Sequence, residues 1–233
     1  MKILILSCVM GEGHNSAAKA LQEYFVNQGD SCEIVDTLSL ISHQASKGAA
    51  ELYVFSTKSH LFENVYSIGN FVSKNSPIKK SPVYFGNMIY CGKLKRYITS
   101  NKFDAVIATH IFPMEALTAL QRMGAIHCKT LGVMTDYTCI PFMEETDVDY
   151  YTVPHPDLID ECVNRGMKRE KLYPFGIPVK QTFYQKGNKL EAKTTIQARY
   201  GLHDRLGKRW FLIMSGGMGL GNLSEIVDEI EHQ

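Results

Sequence analysis

The 233-residue chain lacks the features that mark several whole classes of protein. Its net charge is only +1, so there is no global electrostatic case for nucleic acid or for an acidic substrate. No apolar run approaches the roughly 18 residues that a membrane-spanning helix needs. The six cysteines (Cys8, Cys32, Cys91, Cys128, Cys139 and Cys162) contain no Cys-x-x-Cys pair, which argues for reduced thiols rather than a zinc site or a disulfide framework. The apolar run after Lys2 has no spacer and no small-x-small cleavage site, so it reads as a buried strand and not as a leader peptide. What remains is a chain with 45% hydrophobic residues, enough for one large domain or one and a half average ones. It is expected to be cytoplasmic, and either soluble or seated on a membrane surface.

The apolar pattern alternates between strand and helix. "KILILSCV" (2–9) is continuous, as in a strand buried on both faces, and "CEIVDT" (32–37), "DAVIATH" (104–110), "KTLGVMTD" (129–136), "DYYTVPH" (149–155) and "KLYPFGIPV" (171–179) follow. Helical segments are predicted over 14–28, around 113–123 and over 156–165. Strands separated by helices imply right-handed crossovers and a doubly wound parallel sheet, the Rossmann-like α/β class. The N-terminal domain is read as residues 1–185, followed by a polar linker over 186–208. Residues 209–233 then read as a strand, a glycine turn and a helix. Such a unit cannot bury its own apolar faces, so a second α/β domain is expected to continue past Gln233.

One segment breaks the rhythm. Residues 41–103 are too long for a single crossover and hold nine Lys/Arg against two acids, Glu51 and Glu63, a local net charge of +7. The rest of the chain is therefore acidic. The segment also carries ten of the 24 aromatic residues, so it is more than a solvated loop by composition.

Two glycine turns carry the chemistry. In "MGEGHNSAAKAL" the glycines Gly11 and Gly13 lie between a strand and a helix, the context in which such a turn serves an anion or a reacting group. A dinucleotide reading has Asp36 in its favour, 23 residues after Gly13 at the end of the second strand. Against it stand Ser16 in place of the third glycine and Glu12, a carboxylate that would repel phosphate. A second possibility is a tight turn with His14 merely solvated. The third makes His14 a chemical group: it sits at the carboxyl edge of the sheet, and the positive helix end favours a neutral imidazole able to accept a proton. The second turn, "SGGMGLGN" (215–222), has four glycines and no acid, which suits a diphosphate.

"GEGHNSAAKAL", "VMTDY", "YYTVPHPDL", "FGIPV" and "MSGGMGLGN", in this order and spacing, resemble the monogalactosyldiacylglycerol synthase and processive diacylglycerol glucosyltransferase family. These enzymes have two Rossmann-like domains in the GT-B arrangement and are similar to the peptidoglycan GlcNAc transferase. The resemblance covers essentially the whole chain. It implies inverting transfer of a hexose from a UDP-sugar to the 3-hydroxyl of 1,2-diacylglycerol, without a cofactor or bound metal.

Residue by residue, the resemblance implies that His14 is the catalytic base, with Asp136 binding the acceptor or polarising the base. Gly11, Gly13, Ser16 and Tyr137 are implied on the acceptor side, and Gly216, Gly217, Gly219 and Gly221 at the donor diphosphate; His110, at a strand end in "ATHIFP", is a weaker acceptor-side candidate read from its position. The tryptophan often found shortly after the family's Thr-Asp pair is absent; Phe142 is the nearest aromatic. The basic insertion then suits an anionic membrane holding the acceptor, with Lys79, Lys80, Lys93, Lys95 and Arg96 as charges and Phe62, Tyr66, Phe71, Tyr84 and Phe85 at the interface. No nucleic-acid module accompanies the charge. This chain alone, carrying the acceptor half, is expected to be inactive. The alternatives are a GlcNAc transferase of the peptidoglycan type with a lipid-linked acceptor, and a non-catalytic membrane-surface protein of the same fold. Nothing in the sequence selects an oligomeric state.

Overall fold

The computed structural model describes residues 1–9, 11–42, 44, 48, 51, 82–202, 210–214 and 222–231. Two compact units result, Met1–Lys180 and Gln181–Gln233. The first is a six-stranded, wholly parallel sheet in the order β2-β1-β3-β4-β5-β6. Its strands are β1 (Lys2–Ser7), β2 (Ser31–Asp36), β3 (Ala105–Ala108), β4 (Lys129–Val133), β5 (Tyr150–Thr152) and β6 (Leu172–Tyr173). Among the described residues its α-helices include α1 (Glu12–Asn27), α2 (Pro82–Asn87), α3 (Cys91–Asn101), α4 (Ile111–Arg122) and α5 (Leu158–Asn164).

The central strands lie where the apolar runs predict them. β1 pairs with β2 on one side (Leu4↔Glu33) and with β3 on the other (Leu4↔Val106). Ile3, Leu4, Ile5 and Leu6 of β1 are all buried, as a strand covered on both faces requires. One face packs on α1 through Ile3, Ile5, Ala18, Ile107 and Val133. The other carries the larger core: Leu4, Leu6 and Val106 lie in one cluster with Met114 and Leu117 of α4, Leu94 of α3 and Tyr90 before it.

The strand order reverses between β1 and β3. The chain leaves β1 towards β2 and returns to the opposite side for β3, so the carboxyl ends of β1 and β3 flank a topological switch point. Open α/β sheets leave a crevice there, and that is where ligands sit. Two glycines fit constraints of the frame, one of conformation and one of space. Gly11, the residue before α1, has φ +90°, a conformation that suits glycine. Gly132 in β4 faces Tyr151, whose Cδ1 would stand 2.8 Å from an added Cβ.

Several expectations need correction. The strand predicted over 171–179 is confined to Leu172–Tyr173; Gly176, with φ +86°, lies within the irregular remainder. Tyr84 is core rather than interfacial: it is 7% exposed and belongs to the cluster that includes α4. In the second unit α6 (Lys189–Tyr200) and α7 (Leu223–Glu231) form, but residues 210–214 carry no strand. A strand exists through its pairing with a neighbour, and among the described residues of this unit there is none to pair with. The side chains of Phe211, Leu212 and Met214 are accordingly exposed. The unit boundary after Lys180 falls earlier than the end of the domain read from the sequence.

Candidate active site

His14 is the third residue of α1, directly after the turn that leaves β1. Its Nδ1 lies 2.7 Å from the Thr109 carbonyl oxygen and 2.8 Å from Thr135 Oγ1. A carbonyl only accepts, so Nδ1 carries the hydrogen and shares it between the two oxygens. That choice of tautomer leaves the lone pair on Nε2. Three strands thus meet on one imidazole: α1 brings it from β1, the end of β3 supplies Thr109, and the end of β4 supplies Thr135. The His14 side chain is half-buried.

His110 stands beside it with ring centroids 4.7 Å apart and planes at 77°. It occupies the N-cap of α4, where its Nδ1 accepts from the Phe112 N–H at 3.2 Å. This fixes the opposite tautomer, with the hydrogen on Nε2. Burial, with a smaller contribution from the neighbouring His14, pushes the His110 pKa down to about 3. His110 is therefore held in its neutral form. The two rings are complementary: one presents a lone pair, the other an N–H.

The turn around His14 is braced from beneath. Ser7 Oγ donates to Asn15 Oδ1 at 2.7 Å, joining the end of β1 to the first turn of α1. Thr37 Oγ1 donates to the Ser7 carbonyl at 2.9 Å. Asp36, the residue that favoured a dinucleotide, accepts from Leu38 N at 3.2 Å and caps the short 3-10 turn Thr37–Leu40. Its carboxylate is used in the fold, which weakens the dinucleotide reading.

The remaining sequence candidates divide. Gly11, Gly13, Ser16 and His14 share one turn, with Gly13 and Ser16 exposed. Asp136 and Tyr137 follow Thr135 but point to solvent; Tyr137 is 72% exposed, and Asp136 makes no hydrogen bond or ion pair among the described residues. The side chain on the imidazole is thus Thr135 and not Asp136. Glu12 is exposed and does not orient the ring. His155 is a turn residue, its Nδ1 accepting from Asp157 N at 3.3 Å. Lys93, Lys95 and Arg96 lie on the exposed face of α3, next to Ile89 at 75% exposure, and Lys93 Nζ donates to the Ile41 carbonyl. Lys79, Lys80, Phe62, Tyr66, Phe71, the Phe85 side chain and Gly216, Gly217, Gly219 and Gly221 lie outside the described residues.

Sequence reasoning missed the Thr109 carbonyl, because a backbone acceptor leaves no trace in residue type. Thr135 stands within "VMTDY", where residue type alone does not separate the hydroxyl from the neighbouring carboxylate as the partner of an imidazole. Among the described residues no group of three or more His, Cys, Asp or Glu is arranged to hold a metal, and no helix is long and apolar enough to cross a membrane.

A doubly wound sheet whose switch point presents an imidazole oriented by two oxygen partners defines the class: an α/β protein with a polar crevice at the carboxyl edge of its sheet. The model of the monogalactosyldiacylglycerol (MGDG) synthase family matches residues 14–179, and the chain belongs to that family. Similar curated proteins include the processive diacylglycerol beta-glucosyltransferases of Bacillus cereus (strain B4264) and Bacillus thuringiensis (strain Al Hakam). Each is 27% identical over 226 residues, covering 97% of this chain and 56% of the relative. The chain therefore spans about half the length of the curated relatives it matches. Among solved structures, the lipopolysaccharide outer core galactosyltransferase WaaB in its apo form aligns at 11% identity and a TM-score of 0.47. That alignment covers 74% of this chain and 44% of the other.

Proposed function

We propose that this chain supplies the acceptor half of a glycolipid glycosyltransferase that transfers a hexose from a UDP-sugar to the 3-hydroxyl of 1,2-diacylglycerol with inversion. The observation that carries the reading is the tautomer of His14. Its Nδ1–H is taken by Thr109 and Thr135, so the lone pair that can act as base is on Nε2. Nε2 takes the proton of the acceptor hydroxyl as that oxygen attacks the anomeric carbon, and the nucleoside diphosphate leaves from the opposite side of the sugar. Neutral His110 provides an N–H beside the base, suited to hold an acceptor oxygen without competing for the proton.

The turn bearing Gly216, Gly217, Gly219 and Gly221 is suited to the departing diphosphate by its composition, free of acids and rich in backbone N–H groups. Lys93, Lys95 and Arg96, with Lys79 and Lys80 in the same basic segment, are suited to anionic lipid, which would seat the protein on the inner face of the cell membrane. The family match and the named relatives support the diacylglycerol acceptor.

The test joins residues 1–180 to the donor half of a Bacillus cereus relative and measures hexose transfer from UDP-glucose and UDP-galactose to diacylglycerol in vesicles. Transfer is expected, and His14→Gln should lower kcat by about 10²- to 10⁴-fold, the usual range for a lost general base. An active chimera indifferent to His14→Gln would falsify the assignment of the base.

A further inference from the structure

We infer that Glu161 and Arg165, on and just after α5, are positioning residues that set the catalytic imidazole through the loop following β4. The inference rests on the proposed role of His14 as base. β4 ends at Val133, and the last sheet-like bond beyond it is Met134 N to the Thr152 carbonyl at 3.0 Å. Thr135 therefore hangs on irregular backbone, yet its hydroxyl must stay within 2.8 Å of His14 Nδ1. An irregular segment holds such a distance only where its own polar groups are tied.

The ties are concentrated at Thr138 and Cys139. One carboxylate oxygen, Glu161 Oε1, accepts from Thr138 Oγ1 at 2.7 Å and from the Cys139 N–H at 2.8 Å. Arg165 Nη1 donates to the Cys139 carbonyl at 2.9 Å, while its Nη2 faces Glu144 Oε2 at 3.5 Å. The backbone of Cys139 is thus gripped at both its donor and its acceptor by two side chains one helical turn apart, which share a face. The Cys139 side chain is fully buried, with its Sγ 3.9 Å from Met167 Sδ. Charge-assisted bonds of this kind are stronger than neutral ones.

This arrangement also gives a purpose to a stretch without a chemical role. "YYTVPHPDL" contains no residue that reaches the imidazole, but it ends β5, turns through His155 and starts α5, three residues before Glu161. It therefore seats the helix that grips the loop bearing Thr135. "VMTDY" and "YYTVPHPDL" act as two parts of one support.

The experiment is nitrogen-15 NMR of the histidine rings in this chain, with His14 identified by its loss in His14→Gln. The wild type should show His14 with its hydrogen on Nδ1. Thr135→Val should shift the tautomer ratio towards Nε2–H by about fivefold, the worth of one ordinary hydrogen bond. Glu161→Ala should produce a comparable shift alone and none in the Thr135→Val background. Glu161→Gln, which keeps a carbonyl to accept, should restore the wild-type spectrum. Arg165→Met serves as a second probe if Glu161→Ala does not fold, since it removes one grip and leaves the Cys139 N–H paired. The clamp is overturned if folded Glu161→Ala, or Arg165→Met in its place, leaves the His14 ring signals unchanged. It is equally overturned if the Glu161 and Thr135 effects simply add. These readouts do not depend on turnover, whereas chimera activity indifferent to His14 overturns the base itself, so the two failures are distinguishable.

Discussion

α4 carries two buried groups whose titrations pull stability in opposite directions. His110 caps the helix and Glu115 lies just over one turn further on, completely buried, with Asn87 Nδ2 donating to its Oε2. Burial, assisted by His14, lowers the His110 pKa from 6.5 to about 3. Burial raises the Glu115 pKa from 4.5 to about 8, opposed by the bond from Asn87 and assisted by the charge of Glu145. A proton bound differently in the folded and unfolded states changes stability by about 1.4 kcal/mol per pH unit. Glu115 binds its proton more tightly when folded, so its contribution is complete below pH 4.5 and is lost as the pH rises towards 8. His110 binds its proton less tightly when folded, so its contribution is complete above pH 6.5 and is lost as the pH falls towards 3.

Between pH 4.5 and 6.5 the two slopes cancel, and between 6.5 and 8 Glu115 acts alone. Stability should therefore fall by about 2 kcal/mol across that upper window, from about 1.4 kcal/mol per unit. Urea unfolding midpoints of the chain at constant ionic strength, from about pH 5 to about pH 8, read the slope, and variant-minus-wild-type differences isolate each group. Glu115→Gln should flatten the upper window. His110→Asn keeps a capping acceptor for Phe112 N and removes the opposing titration, so its stability should decline from about pH 5 onward. A Glu115→Gln variant that retains the wild-type slope would refute the reasoning.

Other perturbations test the frame and the surface. Gly132→Ala places a Cβ 2.8 Å from Tyr151 Cδ1 and 3.1 Å from Met114 Sδ, and overpacking of this kind should cost about 1–3 kcal/mol, read as a shift in urea midpoint. An unchanged midpoint would mean that Tyr151 moves freely. Gly11→Ala meets φ +90° before α1 and should cost about 1–3 kcal/mol, with a displaced His14 ring signal as the local readout. Replacing Lys93, Lys95 and Arg96 together by Gln should weaken co-sedimentation with anionic vesicles by about 1 kcal/mol per charge at low salt and little at high salt. Vesicle binding that ignores the triple substitution would remove α3 from the membrane reading.

The amino-acid sequence by itself determined the local elements near the site. The unbroken apolar run of Lys2–Ser7 made a doubly covered strand, and the alternation of strand and helix made the sheet parallel. Gly11 set the turn, because few other residues accept its backbone angle, and so delivered His14 to the carboxyl edge. These are short-range effects, legible within a window of a few residues. Three matters were decided only by the tertiary structure. Tyr84 sits in an aromatic-rich segment whose composition suggests a lipid surface, and packing against α4 buries it instead. Residues 210–214 have the hydropathy of a strand, but a strand is a property of a pair. The tautomer of His14 depends on Thr109 and Thr135, 95 and 121 residues away in the chain. One of those partners is a backbone carbonyl that every residue possesses. Only the strand order, which brings the ends of β1, β3 and β4 side by side, turns it into the group that holds the proton.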